Sequence, residues 1–561
     1  MSYALSSGVA GMQAHQQMLD VAGNNLANVN TTGFKSSRTN FSELLSQTLS
    51  EASQPTQNVG GTNPMQMGSG VAVSSITPDM TQGSIVDSGN ATDMAIDGEG
   101  YFVVSNGEQL LYTRAGAFSV DANSYLVDSA TGYRVQRIGV TGEADGFQVS
   151  DDSSIRIPYD VALPAQATSE ITFTGNLSSD ATGVEAAQVL SSNVTYTRSG
   201  DDASATTVIG QLDQFTGGSG ANGKLGAAQT GTITISGYNR DGSDLSSGLT
   251  FTINSSTTMG DLIGHLNNNV LTDATASLAN GKIIITDDET GYSRSDISMS
   301  YAGAGSLETP SYFELVSVGG DEVQPANIAV YDSQGGKHVL SAALVRTDGT
   351  NTWDIVLTSI TGSVLELSPE NRRVLGLTFD AQTGAYSGIT GGGTGEFAVT
   401  FEHDPDHPQT IELGFGTTGS FDGLTQFAGN STAVAREQDG YESGSLSSVS
   451  VNSDGVLVGS FTNGVKKDLA AISLALFRNP SGLESAGSGY FTASANSGMA
   501  VITQATSGGA GSIQGYALEK SNADIANEFV SLIEAQNGYQ ANARTITVAN
   551  EILQELVNLI R

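Results

Sequence analysis

The densest group of chemically capable side chains in this sequence is Glu402-His403-Asp404-Pro405-Asp406-His407-Pro408. Two imidazoles and two aspartates within five residues could offer nitrogen and oxygen to a metal ion. Pro405 excludes a helical His-x-x-x-His face, and no distant third ligand is indicated, so a solvated turn is the expectation. His15, His265 and His338 stand alone and read as surface or satisfied histidines. Turns at Asp121-Ala122-Asn123, Asp380–Gly384 and Asn452–Gly455 could hold calcium loosely. None carries the ladder of alternating acids closed by a Glu that calcium loops use. Asp, Asn and Gly are also what tight turns require. Gly98-Glu99-Gly100 has no nucleotide-binding loop around it. No serine has a His/Asp partner pattern, and Trp353 reads as core packing. Zero cysteines remove disulfides, thiolate metal sites and cysteine nucleophiles together. The sequence therefore predicts no enzyme, no cofactor and no metal centre.

The elements around these residues say more than the residues themselves. The chain has 561 residues and a net charge of −36, from 22 Lys+Arg and 58 Asp+Glu. Such a balance argues against nucleic acid and against an anionic membrane surface, and no apolar run reaches the ~20 residues that span a bilayer. Residues 1–50 hold two acids and two bases, and residues 518–561 hold six acids and three bases. Nearly all the negative charge therefore lies between the ends. Leu518, Ile525, Leu532, Tyr539, Ile546, Leu553 and Ile560 recur every seven residues. Phe529, Ala543 and Val557 share a second seam with Asn522, Gln536 and Asn550. A sustained heptad predicts a long helix, about 65 Å at ~1.5 Å per residue, whose seam faces another helix. Leu5, Met12, Leu19 and Leu26 repeat the spacing at the N-terminus, where Gly33 suits a left-handed C-terminal cap. Between the ends, short strands and Gly/Asn/Asp turns predict sandwich or barrel domains.

Residues 22–35, Ala-Gly-Asn-Asn-Leu-Ala-Asn-Val-Asn-Thr-Thr-Gly-Phe-Lys, resemble the N-terminal signature of the bacterial flagellar rod and hook axial protein family. Its core here is Asn24, Asn25, Leu26, Ala27, Asn28, Thr32, Gly33 and Phe34. Ala95–Phe102 with Tyr112–Phe118, and Ala517–Glu519 with Asn537–Ile546, resemble further parts of that family. Leu377–Asp380, Gln438–Gly444 and Val451–Gly464 resemble its hook members in particular. The resemblance spans roughly 1–180 and 316–561; the 181–315 stretch departs from the compact form.

The expected fold is α+β, mostly β. Terminal helices at 1–32 and 517–561 form an inner coiled-coil-like polymerisation domain, and 33–92 is an extended connector. A first β domain combines 93–180 with 432–516, and 181–431 forms outer β-sandwich or barrel-like domains with 181–315 as an extra insert. The resemblance implies a structural subunit that self-assembles into a curved, flexible tube transmitting torque from rod to filament. An elongated distal rod protein is the alternative. The seam of Leu5, Met12, Leu19, Leu26, Leu518, Ile525, Leu532, Tyr539, Ile546, Leu553 and Ile560 would carry self-assembly. Implied partners are copies of the chain itself, the distal rod protein, the hook cap, the hook–filament junction protein and the flagellar export apparatus. Nucleic acid and membrane insertion are not expected. The implied location is the extracellular hook, reached without a cleaved signal peptide. A secreted β-rich adhesin is the competing class, and it has no use for paired terminal heptads.

Overall fold

In a computed structural model, residues 3–57, 59–180, 185–246, 248–367, 369–390 and 395–559 are described. The heptad-bearing ends form helices α1 (Tyr3–Ala27) and, after a short internal helix α2 (Met259–His265), α3 (Ile525–Leu559). No helix among the described residues is long and apolar enough to cross a membrane.

Helix α3 starts later than the heptad predicts. Asp524 caps it: its side chain accepts the Ala526 N–H at 2.8 Å and its carbonyl accepts the Glu528 N–H at 2.9 Å. Leu518 lies before this cap, in the strand Ala517–Glu519, paired with Val86. At 35 residues, α3 is about 52 Å long at ~1.5 Å per residue. The stop of α1 also differs from expectation. The Asn28 side chain donates to the Asn24 carbonyl at 3.0 Å and satisfies one free end of the helix. Gly33 has φ +68° but lies beyond the helix, and its backbone turns the chain into the β region.

The chain divides into two compact units, Met1–Leu163 with Gly444–Arg561, and Pro164–Ser443. The boundary falls before the expected 180 and after the expected 432. The strand Glu170–Ser178 explains the shift, because it pairs with Gln409–Gly414, Leu424–Phe427 and Val434–Gln438. In the first unit the expected connector contains paired strands. Ser37–Glu43 pairs antiparallel with Val71–Pro78, and Gln47–Ser50 with Met65–Met67. Pro55 and Pro64 fall in the loops and Pro78 at a strand end. Strands from before and after the excursion interleave: Phe102 pairs with Leu474, and Tyr112 with Phe491. The Tyr112 and Phe477 rings meet edge to face at 4.8 Å in this sheet's core.

The second unit has two cores. In one, an antiparallel meander of Val323–Tyr331, Lys337–Arg346, Thr352–Ile360, Arg373–Phe379 and Tyr386–Ile389 buries Trp353 completely. The other belongs mainly to the expected insert, whose base closes at the Ala186–Gly320 bridge. There α2 is held by a capping box between Thr258 and Asp261. A fully buried Arg372 on the meander meets Asp296 of the insert at 2.5 Å.

Candidate functional site

Helices α1 and α3 run antiparallel, and small residues bring them together. Gly8 faces Ile546, Gly11 faces Asn542, and Gly538 faces His15. A Cβ at Gly11 would stand 2.6 Å from the Asn542 side chain, and one at Gly538 would stand 2.5 Å from the His15 ring. Ala14, Ala22 and Ala535 are buried in the same unit. At the far end, Asn25 donates to Glu528 Oε1 at 2.9 Å and brackets Ser37 through both its N–H and its carbonyl. Burial pushes the Glu528 carboxyl above its ordinary range; the Asn25 hydrogen bond opposes this and Asp524 reinforces it.

Elsewhere α3 is uncovered. Phe529, Ile533, Val548, Ile552 and Leu556 are each more than half exposed. Ile552 and Leu556 lie past the start of α1, whose Gly8 faces Ile546. Large apolar side chains so placed leave an uncovered hydrophobic surface that a single subunit does not fill. The seam residues divide between covered and uncovered. Leu5, Met12, Leu19, Leu26, Leu532, Ile546 and Leu553 are half-buried, whereas Ile525 and Tyr539 are exposed. Leu518 is off the helix, and Ile560 lies outside the described residues.

Between the helices and the β sheets sits a cluster that motif reading did not single out. Glu519 is fully buried. Its Oε1 meets Lys35 Nζ at 2.6 Å and accepts the Gly83 N–H at 2.8 Å, while its Oε2 meets Arg114 Nη1 at 3.3 Å. Lys35 also donates to the Thr81 carbonyl at 2.7 Å, and Arg114 to the Gly98 carbonyl at 2.7 Å. Desolvation lowers the Lys35 pKa despite the opposing pull of Glu519. The signature Gly33 donates its N–H to the Glu519 carbonyl at 2.8 Å. A Cβ there would stand 2.6 Å from the Ala115 nitrogen, so its left-handed backbone is needed for close approach as well as for the turn. Asn522 completes the seat by accepting the Ser36 N–H and donating to the Asp79 carbonyl, each at 2.8 Å.

The remaining signature residues surround this seat. Asn25 is buried, Asn28 donates to both Asn24 oxygens, and Leu26, Thr32 and Phe34 are half-buried. Asn24 and Ala27 are exposed. The three charges of the cluster stand inside segments quoted for the family resemblance. Their pairing across 484 and 405 residues left no local signal to read.

The other candidates resolve as turn chemistry or split apart. In the Asp121, Asp380 and Asn452 turns, the leading side-chain oxygen accepts backbone N–H groups of the turn itself. The Glu402–Pro408 run separates: His407 pairs with Asp404 at 2.8 Å on the surface, and His403 approaches Asp332. His15 packs against Phe41, His265 against Phe251, and His338 joins Asp332.

Four family models match this chain. Residues 5–35 match "Flagella basal body rod protein", 95–179 "Flagellar hook protein FlgE/F/G D1 domain", 322–441 "Flagellar basal body protein FlaE D2 domain", and 514–559 "Flagellar basal body rod FlgEFG protein C-terminal". Lys35, Arg114 and Glu519 each fall in a different one of these segments. The "Flagellar hook protein FlgE" of Borreliella burgdorferi is 32% identical, covering 100% of both chains. That of Treponema pallidum is also 32% identical over 100% of both, and that of Escherichia coli 27% over 99% of this chain and 100% of its own. A solved structure titled "Crystal structure of Helicobacter pylori flagellar hook protein FlgE2" gives a TM-score of 0.40 at 17% identity, over 76% of this chain and 99% of that one.

Proposed function

As this chain belongs to the flagellar hook protein family, it is a structural subunit of the hook, and we propose that its copies join through the apolar surface of α3 that α1 leaves uncovered. The full-length relatives are hook proteins, which removes the distal rod reading. The observation that carries the proposal is the contrast between covered and uncovered parts of α3. Where α1 packs, α3 is closed on it through glycines, and elsewhere it exposes Phe529, Ile533, Val548, Ile552 and Leu556. Covering such side chains yields about 25 cal/mol per Å² of apolar area, or about 1.5–3 kcal/mol for each side chain fully buried. Subunit addition thereby gains a driving force that the monomer cannot satisfy internally.

The seam residues Leu5, Met12, Leu19, Leu26, Ile525, Leu532, Tyr539, Ile546 and Leu553 take different parts in this reading. Half-buried members hold α1 to α3, and exposed Ile525 and Tyr539 add to the uncovered apolar surface. Lys35, Arg114 and Glu519 then fix the helix pair to the β body, so that load on one reaches the other. The second unit, with its insert, supplies the outer contacts that change as the tube bends. The reading extends to the rod, cap, filament-junction and export partners, which family membership supports.

Purified chain carrying Ile533→Asp together with Ile552→Asp tests this. The expected outcome is loss of polymers by electron microscopy and sedimentation, with an unchanged circular dichroism spectrum. Polymers forming at the wild-type critical concentration would overturn the reading.

A further inference from the structure

We propose that a β-hairpin of the first unit docks in an open groove on the first unit of a second copy, a contact between subunits that does not rest on the surface of α3. The hairpin leaves the ribbon of Ser37–Glu43 and Val71–Pro78 at its Glu43–Val71 end. Its strands Gln47–Ser50 and Met65–Met67 pair only with each other among the described residues. Residues 47–57 and 59–68 are all exposed, and Leu49, Val59 and Met65 are each more than half so. A two-stranded hairpin by itself is marginally stable in water. Natural sheets guard free edges with charge. Residues 44–70 hold a single charged side chain, Glu51, in a chain of net charge −36.

The hairpin has two unlike faces. Met65 and Met67 lie two apart on one strand and share a face, and the bulge at Leu49 stands opposite Met65. Thr48 and Gln66 pair on the other face, where Gln66 Nε2 donates to Thr48 Oγ1 at 3.2 Å. An exposed apolar face of this kind marks a contact surface. Its lack of charge points to a second copy as the occupant. Copies of so acidic a chain repel one another, and the repulsion is least where charge is absent.

The groove holds about 840 Å³ of open space beside the seat of the helices. Met80, Tyr101, Leu476, Phe477 and Pro480 give it an apolar wall. Its charged lining, Arg38, Arg114, Asp79 and Glu99, sums to zero, which suits an almost uncharged occupant. Arg114 is held by Glu519, and Asp79 Oδ1 accepts the Thr81 N–H at 3.0 Å. Arg38 is exposed, and its guanidinium has no ion-pair or hydrogen-bond partner among the described residues. The lone Glu51 of the hairpin is its complement. The two features stand toward opposite ends of one ribbon. Arg38 and Pro78 line the groove near the start of the ribbon, which runs about 20 Å, at ~3.4 Å per residue, before the hairpin begins. A hairpin carried away from its own groove is placed to meet a neighbour's. Two different complementary surfaces on one subunit make a head-to-tail contact, and repeating such a contact builds rings or open helical polymers.

The test is polymerisation of the full-length chain with charges reversed, read as the critical concentration in sedimentation. Arg38→Glu and Glu51→Arg should each raise it about threefold or more, because each sets like charges against one another across the contact. Both side chains are exposed, so the circular dichroism spectrum should not change. The double variant should return to the wild-type value. An equimolar mixture of the two single variants should return as well, since each reversed groove then meets a reversed hairpin on another copy. A pair within one chain gains nothing from mixing. Leu49→Asp should raise the critical concentration more than Thr48→Asp, which lies on the opposite face. Wild-type critical concentrations in both single variants, or no recovery in either the double variant or the mixture, would overturn the proposal, as would equal effects at Leu49 and Thr48.

Discussion

Two regions of the first unit invert the usual placement of side chains. At the seat of the helices, Lys35, Arg114 and Glu519 are charged and nearly or fully buried. Where α1 leaves α3 uncovered, Phe529, Ile533 and Ile552 are apolar and exposed. Each inversion is costly for an isolated subunit, and each has a different resolution. The buried charges resolve one another within the chain, with the Gly83 N–H and the Thr81 and Gly98 carbonyls completing the hydrogen bonding. The exposed apolar side chains find no such partner inside the chain. The seat therefore sets the geometry of one subunit, and the exposed apolar surface of α3 is where we propose that subunits meet.

The comparison breaks most sharply at Glu519. Replacing it by Gln leaves two buried cations with too little negative charge, and removal of one partner from a buried ion pair typically costs about 3–5 kcal/mol. Calorimetry should show the first unit melting earlier by that amount while the second unit is unaffected. An unchanged first transition would mean that the cluster does not hold the seat. A smaller effect is expected where the helices touch. Gly11→Leu forces a side chain against Asn542, and overpacking of this kind costs about 1–3 kcal/mol. Amide exchange in α1 and α3 should quicken together, because the two helices share the contact.

Gly33→Ala probes the seat through the backbone. It places a Cβ against Ala115 at φ +68°, and a strained backbone of this sort costs about 1–3 kcal/mol. Protection of the Gly83 amide, which rests on Glu519, should fall with it. The smallest effect lies at Glu528, which stands between the two regions. Its carboxyl titrates above the ordinary 4.5 in the folded chain, chiefly through burial. A raised carboxyl contributes stability below the unfolded value and loses it as pH rises through the folded value. The first turn of α3 should therefore be better protected near pH 4 than near pH 7, after correction for intrinsic exchange, and Glu528→Gln should flatten the difference.

The helices were legible because a seven-residue apolar period leaves few alternatives over 35 residues. Their mutual contact was less so. Periodicity weighs large apolar side chains, whereas the α1–α3 approach depends on Gly8, Gly11, Ala535 and Gly538, which a hydrophobic pattern discounts. Leu518 kept the heptad spacing by coincidence; the capping Asp524 was the available signal that the helix begins after it. The turns at Asp121, Asp380 and Asn452 were readable from local chemistry alone. The Lys35–Glu519–Arg114 cluster was not, since it joins three segments far apart in sequence. His338 and His403 looked unrelated for the same reason: 65 residues separate them, and only the packing of two sheets brings both to Asp332.

Because the chain has no cysteine, the central claim can be tested by placing one. Ile552→Cys should react with a maleimide readily in the monomer and be protected in the assembled hook, with total thiol counted after denaturation. The account predicts strong protection on polymerisation and full reactivity once the polymer is dissociated. Equal labelling in monomer and polymer would contradict it, because the exposed apolar surface of α3 would then not be where the subunits meet.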